Sequence, residues 1–372
     1  MLDGPVASAQ FNQAHNMCVD LSTGTVYVAD THNNAIRKIR NGTVTTLAGN
    51  GTQGDVDAQG LNARLYIPTG IQFYNGYIYI TDDGNHKIKR VDTLGNVITI
   101  AGTGAIGHQD GNVLSATFYN PTGLSIDNSG IIYVADYLNH CIRKISGNQV
   151  TTYAGTLGVS GDQIGAASTA LFNSPSEVNI DPQGNNLYVS DLLNNKVKVV
   201  SQSGTVSLLA GSGVAGFADG TGASAVFNRP SGMLWDLWGN IIIVDGLNYR
   251  IRRITTSGVV TTIAGTGAAG INNGPVATAT FNGPADISIG PNGEIYCGDV
   301  TNNVIRMISV GDVGMNEYSS LAQISFFPNP TTDQIIVNSV EQKIKTISIF
   351  DMNGKLCKTI PVEGEPSQIT IS

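Results

Sequence analysis

Short segments in which apolar and polar residues alternate recur along most of this chain. Residues 131–136 and 141–145 are two of them, and turns that contain Gly or Asn separate such segments. Alternation with a period of two is typical of β-strands, and turns of this composition are typical of hairpins. No stretch sustains the 3.6-residue period of an amphipathic helix. The pattern therefore predicts an all-β chain of short antiparallel strands.

One short phrase recurs six times: an Asp, an Asn three residues later, and then an aliphatic and a basic residue. Its Asp residues follow one another at intervals of 52 to 55 residues, at Asp30, Asp82, Asp136, Asp191, Asp245 and Asp299. Each unit predicts four strands, and four strands per unit at a fixed period describe the blade of a β-propeller. A solenoid is the alternative, but six similar units without polar caps favour a closed ring.

Long connections join the units, and several end in an Ala-x-Phe-x-x-Pro pattern such as residues 116–121. We expect the Ala and the Phe to form a plug between neighbouring blades, where a large aromatic ring excludes water. The segment from Asp3 to Phe11 matches the second half of such a connection, so the chain opens inside one. We therefore expect the chain to be a piece of a longer protein.

The sixth unit ends near Ile308 without a fourth strand, which gives an expected count of 23 strands. The closing strand is expected to lie upstream of Met1, and an open edge is expected at blade six. The predicted fold is all-β: a six-bladed β-propeller of four-stranded antiparallel blades with one strand missing at the open end, plus a small partial β-sandwich tail.

The full phrase, Asp-x-x-Asn-His-x-Ile followed by Arg or Lys, is best preserved in residues 82–89 and 136–143. It resembles the NHL repeat, and the resemblance extends from residue 3 to residue 309. The family implies a six-bladed propeller used mainly for binding, in bacterial extracellular and sensor domains and in teneurin-like proteins. Some members bind RNA through a basic face, but a net charge of −8 argues against nucleic acid as a partner here.

The tail is a different module. Residues 311–323 are predicted to be a linker between a propeller of residues 1–310 and a module of residues 324–372. The Phe-Phe-Pro-Asn-Pro phrase at 326–330 and a Gly-Lys hairpin at 354–355 resemble the C-terminal sorting domain of type IX secretion substrates. That family implies a small β-sandwich and export across the outer membrane of a Gram-negative bacterium. The chain stops before the family's usual last strands, so the sandwich is expected to be partial.

Other features narrow the class of protein. The longest purely aliphatic run, residues 241–244, is far shorter than the roughly 20 apolar residues of a membrane-spanning helix. The cysteines are far apart and form no C-x-x-C pair, which predicts small buried hydrophobic residues and neither a disulfide framework nor a zinc site. They are Cys18, Cys141, Cys297 and Cys357.

Residues repeated in all six units are expected to serve the scaffold, because an active site needs one asymmetric cluster. The Asp and Asn of each phrase flank a turn, and their side chains are predicted to bond the N–H groups of that turn. We assign no catalytic residue, and function is sought where the repeat breaks.

One break lies at the start of the first strands, at the predicted axial mouth on the face of the second-to-third-strand turns. Glu177 and Asp286 replace a Gly, and His15 and Asn16 replace a Thr-Gly pair. Two carboxylates, an Asn and a His around one funnel predict a cation site, with Ca2+ as the candidate. The arrangement is similar to that of gluconolactonase-like six-bladed enzymes, whose metal sits at the axial mouth. In the alternative, the carboxylates cap backbone N–H groups or pair with Arg229.

A second break is a set of apolar residues in the turns of blades three to five, where turns usually carry polar residues. Together with Arg229 they form the predicted binding face: Tyr137, Leu138, Leu192, Leu193 and Leu247. Exposed apolar patches mark partner surfaces, and a protein or glycan is the expected ligand. In the alternative, these side chains lie beneath the inter-blade connections.

Together these features predict a secreted or cell-surface propeller, a monomer, that binds protein or carbohydrate without catalysis. A metal-dependent hydrolase or lactonase with the axial cation site is the alternative. A purely structural array protein of the cell surface is a third hypothesis.

Overall fold

The computed structural model describes residues 1–309 and, beyond them, the backbone of five strands. The chain divides into two compact units, Met1–Val313 and Gly314–Ser372. The strands of the second unit form a three-stranded sheet and a hairpin: Ile324–Phe327, Ile335–Ser339 and Gln368–Ile371, then Thr346–Phe350 and Leu356–Pro361. The predicted linker lies outside the described residues.

Six antiparallel sheets follow one another along residues 1–309 and form a six-bladed propeller, as predicted. In each blade the first strand lies at the axis and the last at the rim. The strands of blades one to five are, blade by blade, Ala14–Asp20, Thr25–Asp30, Ala35–Arg40 and Thr43–Ala48; Pro68–Tyr74, Tyr77–Asp82, Lys87–Asp92 and Val97–Ala101; Pro121–Ile126, Ile132–Asp136, Cys141–Ser146 and Gln149–Ala154; Pro175–Ile180, Asn186–Asp191, Lys196–Ser201 and Thr205–Ala210; Pro230–Trp235, Ile241–Asp245, Arg250–Ile254 and Val259–Ala264.

Blade six differs from the others. Within the described residues it has three strands, Pro284–Ile289, Ile295–Asp299 and Val304–Ile308. The predicted absence of a fourth strand concerns positions that lie outside the described residues. The ring still closes, because Tyr296 and Ile305 of blade six pack against Met17 and Val19 of blade one.

The connection that enters a blade also covers the outer edge of that blade, which the sequence did not predict. In four blades it adds a two-residue strand to the fourth strand: Gly4–Pro5, Gly111–Asn112, Gly165–Ala166 and Gly220–Thr221. An exposed edge strand offers unpaired N–H and C=O groups to other chains, and these short pairings shield part of that edge.

A single turn of 3-10 helix joins the second and third strands of every blade, where the sequence predicted a turn. These turns are Thr31–Asn33, Asp83–Asn85, Tyr137–Asn139, Leu192–Asn194, Gly246–Asn248 and Val300–Asn302. Two further 3-10 turns, Gly60–Asn62 and Gly222–Ser224, lie in the connections. The six blade turns lie on one side of the ring, which we call the turn face; the first-to-second-strand hairpins lie on the hairpin face.

The repeated Asp is buried and ties its turn to the connection that enters the same blade. In blade three, Asp136 Oδ2 accepts hydrogen bonds from Arg143 Nη1 and Asn139 Nδ2, both at 2.8 Å, and its Oδ1 accepts one from the N–H of Tyr119 at 2.8 Å. Every other blade repeats these contacts. The prediction that the Asp caps its own turn is wrong, because its side chain makes no such bond.

In five of the six blades the cation of the phrase also packs on the Phe of the predicted plug, and blade two has Leu65 in place of that Phe. The Arg143 guanidinium lies 5.1 Å from the centre of the Phe118 ring. Phe118 and Ala116 are fully buried in a cluster with Ile88 and Ala101 of blade two. The plug between these blades is therefore confirmed, and the cation that holds Asp136 also holds the plug in place.

In five of the six blades the residue that ends the blade turn bonds the next blade. His140 Nδ1 accepts a hydrogen bond from the N–H of Ser174 at 3.0 Å. Three asparagines make the same bond through the side-chain oxygen: Asn34, Asn195 and Asn303. His and Asn exchange here because both offer an acceptor. Blade five has Tyr249 at this place, and within residues 1–309 it makes no such bond to Gly283.

Two predicted absences can be examined in the described part of the chain. No helix there has the length and apolar character that crossing a membrane requires. Cys18, Cys141 and Cys297 are free and buried, as predicted, and the surroundings of Cys357 lie outside the described residues.

Replacing Asp136 by Ala should lower the free energy of unfolding by about 3 kcal/mol or more, because Arg143 and the Tyr119 N–H lose a buried partner. Urea unfolding followed by circular dichroism measures this change. The matched control is Asp110→Ala, which removes the other carboxylate on Arg143. Its side chain is 40% exposed, so the loss should stay near 1 kcal/mol or below. Equal losses in the two variants would contradict a structural role specific to the buried Asp.

Candidate functional site

Six equivalent positions of the first strands form a ring around the axis. They are Asn16, Gly70, Gly123, Glu177, Gly232 and Asp286. The side chains of blades four and six occupy the space beside the preceding blade. A Cβ atom on Gly123 would lie 2.5 Å from the Glu177 carboxyl, and one on Gly232 would lie 2.0 Å from Asp286 Oδ1. These two positions therefore need glycine as long as the carboxyls stand where they do.

Glu177 and Asp286 meet inside this ring. Both are buried, and their carboxyl groups interact with each other. Glu177 Oε1 also accepts a hydrogen bond from the N–H of Val178 at 3.0 Å, and Asp286 Oδ1 accepts one from the N–H of Ile287 at 2.8 Å, as the alternative predicted. Burial and the neighbouring Asp286 raise the pKa of Glu177 well above its usual range, and burial raises the pKa of Asp286 to about 7. Two carboxyls at this distance share a proton, because two buried negative charges repel each other. The raised pKa values thus favour a proton shared by the pair near neutral pH.

The structure brings together three of the four residues predicted to bind a cation, Asn16, Glu177 and Asp286. His15 is apart from them: burial lowers its pKa to about 4, with His32 as the nearby charge. Within residues 1–309 no group of three or more His, Cys, Asp or Glu side chains could hold a metal ion. The Ca2+ site stays a prediction that has no complete ligand set.

A cavity of about 240 Å3 adjoins the carboxyl pair. Its lining continues along the first strands to Asn179, Trp235 and Leu21, so it lies on the hairpin side of the pair. The cavity thus lies on the opposite face from the predicted axial mouth. Sequence reasoning also missed Asn179 as a lining residue, although it follows Glu177 by two positions and strand residues two apart share a face.

The apolar turn residues separate into two groups. Leu138, Leu193 and Leu247 occupy the second position of three consecutive turns, and we call them the leucine arc. Leu193 is 39% exposed and Leu247 is 47% exposed, whereas Leu138 is half-buried. Tyr137 and Leu192 hold the first turn position and are half-buried. The prediction of an exposed face thus describes Leu193 and Leu247 best.

Arg229 lies beside this arc. Its side chain is exposed and forms no ion pair with Glu177, Asp286 or any other described residue. Its carbonyl accepts a hydrogen bond from the N–H of Gly246, the residue before Leu247. The guanidinium is thus carried by the loop next to the blade-five turn, at the edge of the leucine arc.

Family comparisons identify two kinds of module in the chain. The NHL repeat family matches residues 11–39 and 118–145, in blades one and three. The secretion system C-terminal sorting domain family matches residues 325–372. The chain therefore carries NHL repeats and a sorting domain, as the sequence analysis predicted, and that domain indicates secretion or display at the cell surface.

Whole-chain comparisons point to the same fold. "Protein SUPPRESSOR OF QUENCHING 1, chloroplastic" of Arabidopsis thaliana is 29% identical over 83% of this chain and 26% of its own length. "NHL repeat-containing protein 2" of Bos taurus is 25% identical over 94% of this chain and 53% of its own length. The chain thus spans a quarter to a half of these relatives. An auxiliary nutrient binding protein from Bacteroides ovatus superposes with a TM-score of 0.63 at 18% identity, over 83% of this chain and 72% of that protein.

Glu177→Gln should flatten the pH dependence of stability. Glu177 and Asp286 each contribute to this dependence: the pKa of Glu177 is well above its usual range in the folded protein and that of Asp286 is about 7, against about 4.3 and about 3.9 in unfolded chains. Glu177→Gln removes the first of these two titrating groups. The stability contributed by the protonated pair is therefore fully present below the unfolded pKa and is lost as the pH rises through the folded pKa. The slope is roughly 1.4 kcal/mol per pH unit for each proton that only the folded state retains. Urea unfolding at several pH values between 5 and 8 measures it.

Asp82 and Asp83 have pKa values raised by burial to about 6 and about 7, so they titrate in the same range. Asp82 and Asp83 are present in both the wild type and Glu177→Gln. The difference between the two stability curves therefore reports on the carboxyl pair of Glu177 and Asp286. Asp286→Asn should flatten the curve in the same way. Parallel curves for the wild type and both variants would show that the pair does not hold a proton.

Proposed function

We propose that this chain, an NHL-repeat propeller with a secretion-system C-terminal sorting domain, is exported by type IX secretion from a Gram-negative bacterium and acts as a binding module at the cell surface or in the medium. The name of the structural neighbour from Bacteroides ovatus, an auxiliary nutrient binding protein, is in line with a binding role. At 18% identity that neighbour supports the fold and no narrower statement about the ligand.

The leucine arc is the observation that carries this proposal. Leu193 and Leu247 hold a turn position at which blades one, two and six have His32, Gly84 and Thr301. Much of the side-chain surface of these leucines is exposed to water, so they add little to the folding stability of the propeller. A partner that covers them gains roughly 25 cal/mol for each Å2 of apolar surface removed from water. Exposed apolar residues in adjacent turns are thus a surface suited to a partner.

The chemistry of the arc favours a protein surface as the ligand. Aliphatic side chains pack against other apolar side chains, and Arg229 at the edge adds a planar guanidinium that can pair with a carboxylate. A glycan that presents the apolar face of a sugar ring is the second ligand class, and the same experiment examines it. Glu177 and Asp286 give less support to a metal-dependent hydrolase, because both are buried and each accepts a hydrogen bond from a backbone N–H group.

Replacing Leu193 and Leu247 together by Ser should abolish partner binding without a loss of folding stability. The wild-type chain and the double variant are compared on one array of purified surface proteins and one array of glycans. We expect binding to fall by more than about tenfold, because the central apolar contacts of an interface carry most of its energy. The melting temperature should change little, since both side chains are largely exposed.

Leu237→Ser is the matched control for this experiment. Leu237 is 66% exposed and lies in the blade-five hairpin, on the hairpin face. Its substitution should leave binding unchanged. A large fall in the melting temperature of the double variant would show that the arc belongs to the core, and equal binding by all three proteins would remove the arc from the interface.

A further inference from the structure

We infer that the axial cavity on the hairpin side of Glu177 and Asp286 binds a small primary amine, with its ammonium group against the two carboxyls and its alkyl chain toward the hairpin face. The cavity measures about 240 Å3, the volume of roughly eight water molecules. Leu21, which is 58% exposed in the hairpin of blade one, is among its lining residues. The cavity therefore reaches the surface of the hairpin face. This inference is independent of the leucine arc, which lies on the turn face.

The two axial carboxyls lack the cation that the buried carboxylate of each phrase has. The Asp of every phrase is fully buried and forms an ion pair with the Arg or Lys of its blade, as Asp136 does with Arg143 at 2.8 Å. Glu177 is 6% exposed and Asp286 is 4% exposed, yet the described residues that line the cavity include no Lys, Arg or His. Burial of a carboxylate without a counter-charge is unfavourable. A cationic ligand would supply the counter-charge that each phrase finds within the protein.

The carboxyl pair has both the charge and the acceptor capacity for one ammonium group. Even with one proton shared between them, two carboxyls keep a single negative charge. Glu177 Oε1 accepts a hydrogen bond from the N–H of Val178, and Asp286 Oδ1 accepts one from the N–H of Ile287. A carboxyl group has more lone pairs than these bonds use, so each one can also accept a bond from a ligand. Hydrogen bonds between an ammonium and a carboxylate are stronger than those between neutral groups.

Further polar side chains line the cavity two residues along the first strands, toward the hairpin face. Asn179 Nδ2 donates a hydrogen bond to the carbonyl of Met233 at 3.1 Å, and Ser125 Oγ accepts one from the N–H of Ile180 at 3.1 Å. Within residues 1–309, Asn179 Oδ1 accepts no hydrogen bond. An ammonium group has three N–H donors and no acceptor, so it needs several acceptors around it. Asn179 Oδ1 is a free acceptor on the same side as the carboxyl pair.

This set of acceptors favours an ammonium group over a metal ion. Ca2+ takes about six to eight oxygen ligands, and within residues 1–309 no group of three or more His, Cys, Asp or Glu side chains could hold a metal. His15, the fourth predicted ligand, is not among the residues that line the cavity. An ammonium group needs only as many acceptors as it has N–H bonds, and Glu177, Asp286 and Asn179 offer them.

The outer part of the cavity is suited to the alkyl chain of the ligand. Phe73 and Trp235 line it three positions beyond the carboxyl ring, and Leu234 lies beside them. An alkyl chain placed among these residues leaves water, which is favourable in proportion to the apolar area removed. Polar groups at the inner end and apolar walls near the surface fix the orientation of such a ligand. A quaternary ammonium is disfavoured, because it has no N–H group to donate.

Trp235 provides a local probe of the cavity, because the chain has two tryptophans and the other one, Trp238, is replaced by Phe. The full chain with Trp238→Phe is titrated with n-butylammonium chloride at constant ionic strength while the fluorescence of Trp235 is recorded. We expect a saturable change. 1-Butanol has the same alkyl chain without the charge, and it should bind more than about tenfold more weakly. Tetramethylammonium has the charge without N–H donors, and it should also bind more weakly.

Variants of the carboxyl pair locate the ammonium group. Glu177→Gln keeps the shape of the side chain and removes its charge, and Asp286→Asn does the same on blade six. In the Trp238→Phe background each should weaken the binding of n-butylammonium by more than about tenfold, because a charge-assisted bond to a buried carboxyl is lost. The matched control is Asp83→Asn, which neutralises a carboxyl in the blade-two turn on the turn face. The control should bind n-butylammonium as tightly as its parent.

Four results would overturn the inference. A response that does not saturate would show that the cavity is no binding site for the amine. Equal affinity for 1-butanol would show that the cavity selects only the alkyl chain, and unchanged affinity in both carboxyl variants would place the ammonium elsewhere. Tighter binding of Ca2+ than of n-butylammonium, measured by competition, would make the cavity a metal site. The comparison of ligands on one protein stands even where Glu177→Gln or Asp286→Asn fails to fold.

Discussion

Each blade depends on a carboxylate that is buried together with three hydrogen-bond donors. Asp136 holds the Asn of its turn, the Arg of the next strand and the N–H of Tyr119 in the connection. An isolated buried carboxylate costs several kcal/mol, and this cost is offset only when all three donors are in place. Since the donors come from three separate segments, the interaction fixes the turn, the strand and the connection in one register. Six such centres explain how a chain with 13% charged residues keeps a uniform ring.

This use of Asp, Asn, His and Arg leaves few positions for recognition. The Asp, the Asn and the cation serve the buried centre, and the residue that ends the turn bonds the next blade. The second turn position takes no part in these contacts, and it varies among His32, Gly84, Thr301 and the leucine arc. A repeat scaffold thus separates its structural residues from its variable ones, and a binding surface is sought among the latter.

Much of the fold could be predicted from the period and the phrase, because six equal units with alternating strands have few ways to bury their faces. The meeting of Glu177, Asp286 and Asn16 could also be predicted, because they hold equivalent positions in the first strands of three blades and these positions face the same axis. Other features could not be derived this way. The Asp136 contact with Tyr119 spans 17 residues. The same sequence is equally compatible with a hydrogen bond from Asp136 to its own turn, so the longer-range contact could not be predicted. Leu193 is exposed whereas Leu138 is half-buried, and this difference depends on how the connections pack over the turns. The position of His15, by contrast, follows from strand alternation, because neighbours on a strand point to opposite faces.

The departures from symmetry concentrate around blade six. Tyr249 makes no bond to Gly283, so blades five and six lack the contact that His140 provides between blades three and four. Asn273 stands where blade three has Asp110, and Arg306 therefore loses one of the two carboxylates that Arg143 holds. Closure of the ring consequently relies on the apolar cluster with blade one and on the bond between Asn303 and Gln13. The third strand of blade six, Val304–Ile308, pairs within residues 1–309 only with Ile295–Asp299. Local opening of the ring should therefore begin at blade six, where these contacts are fewest.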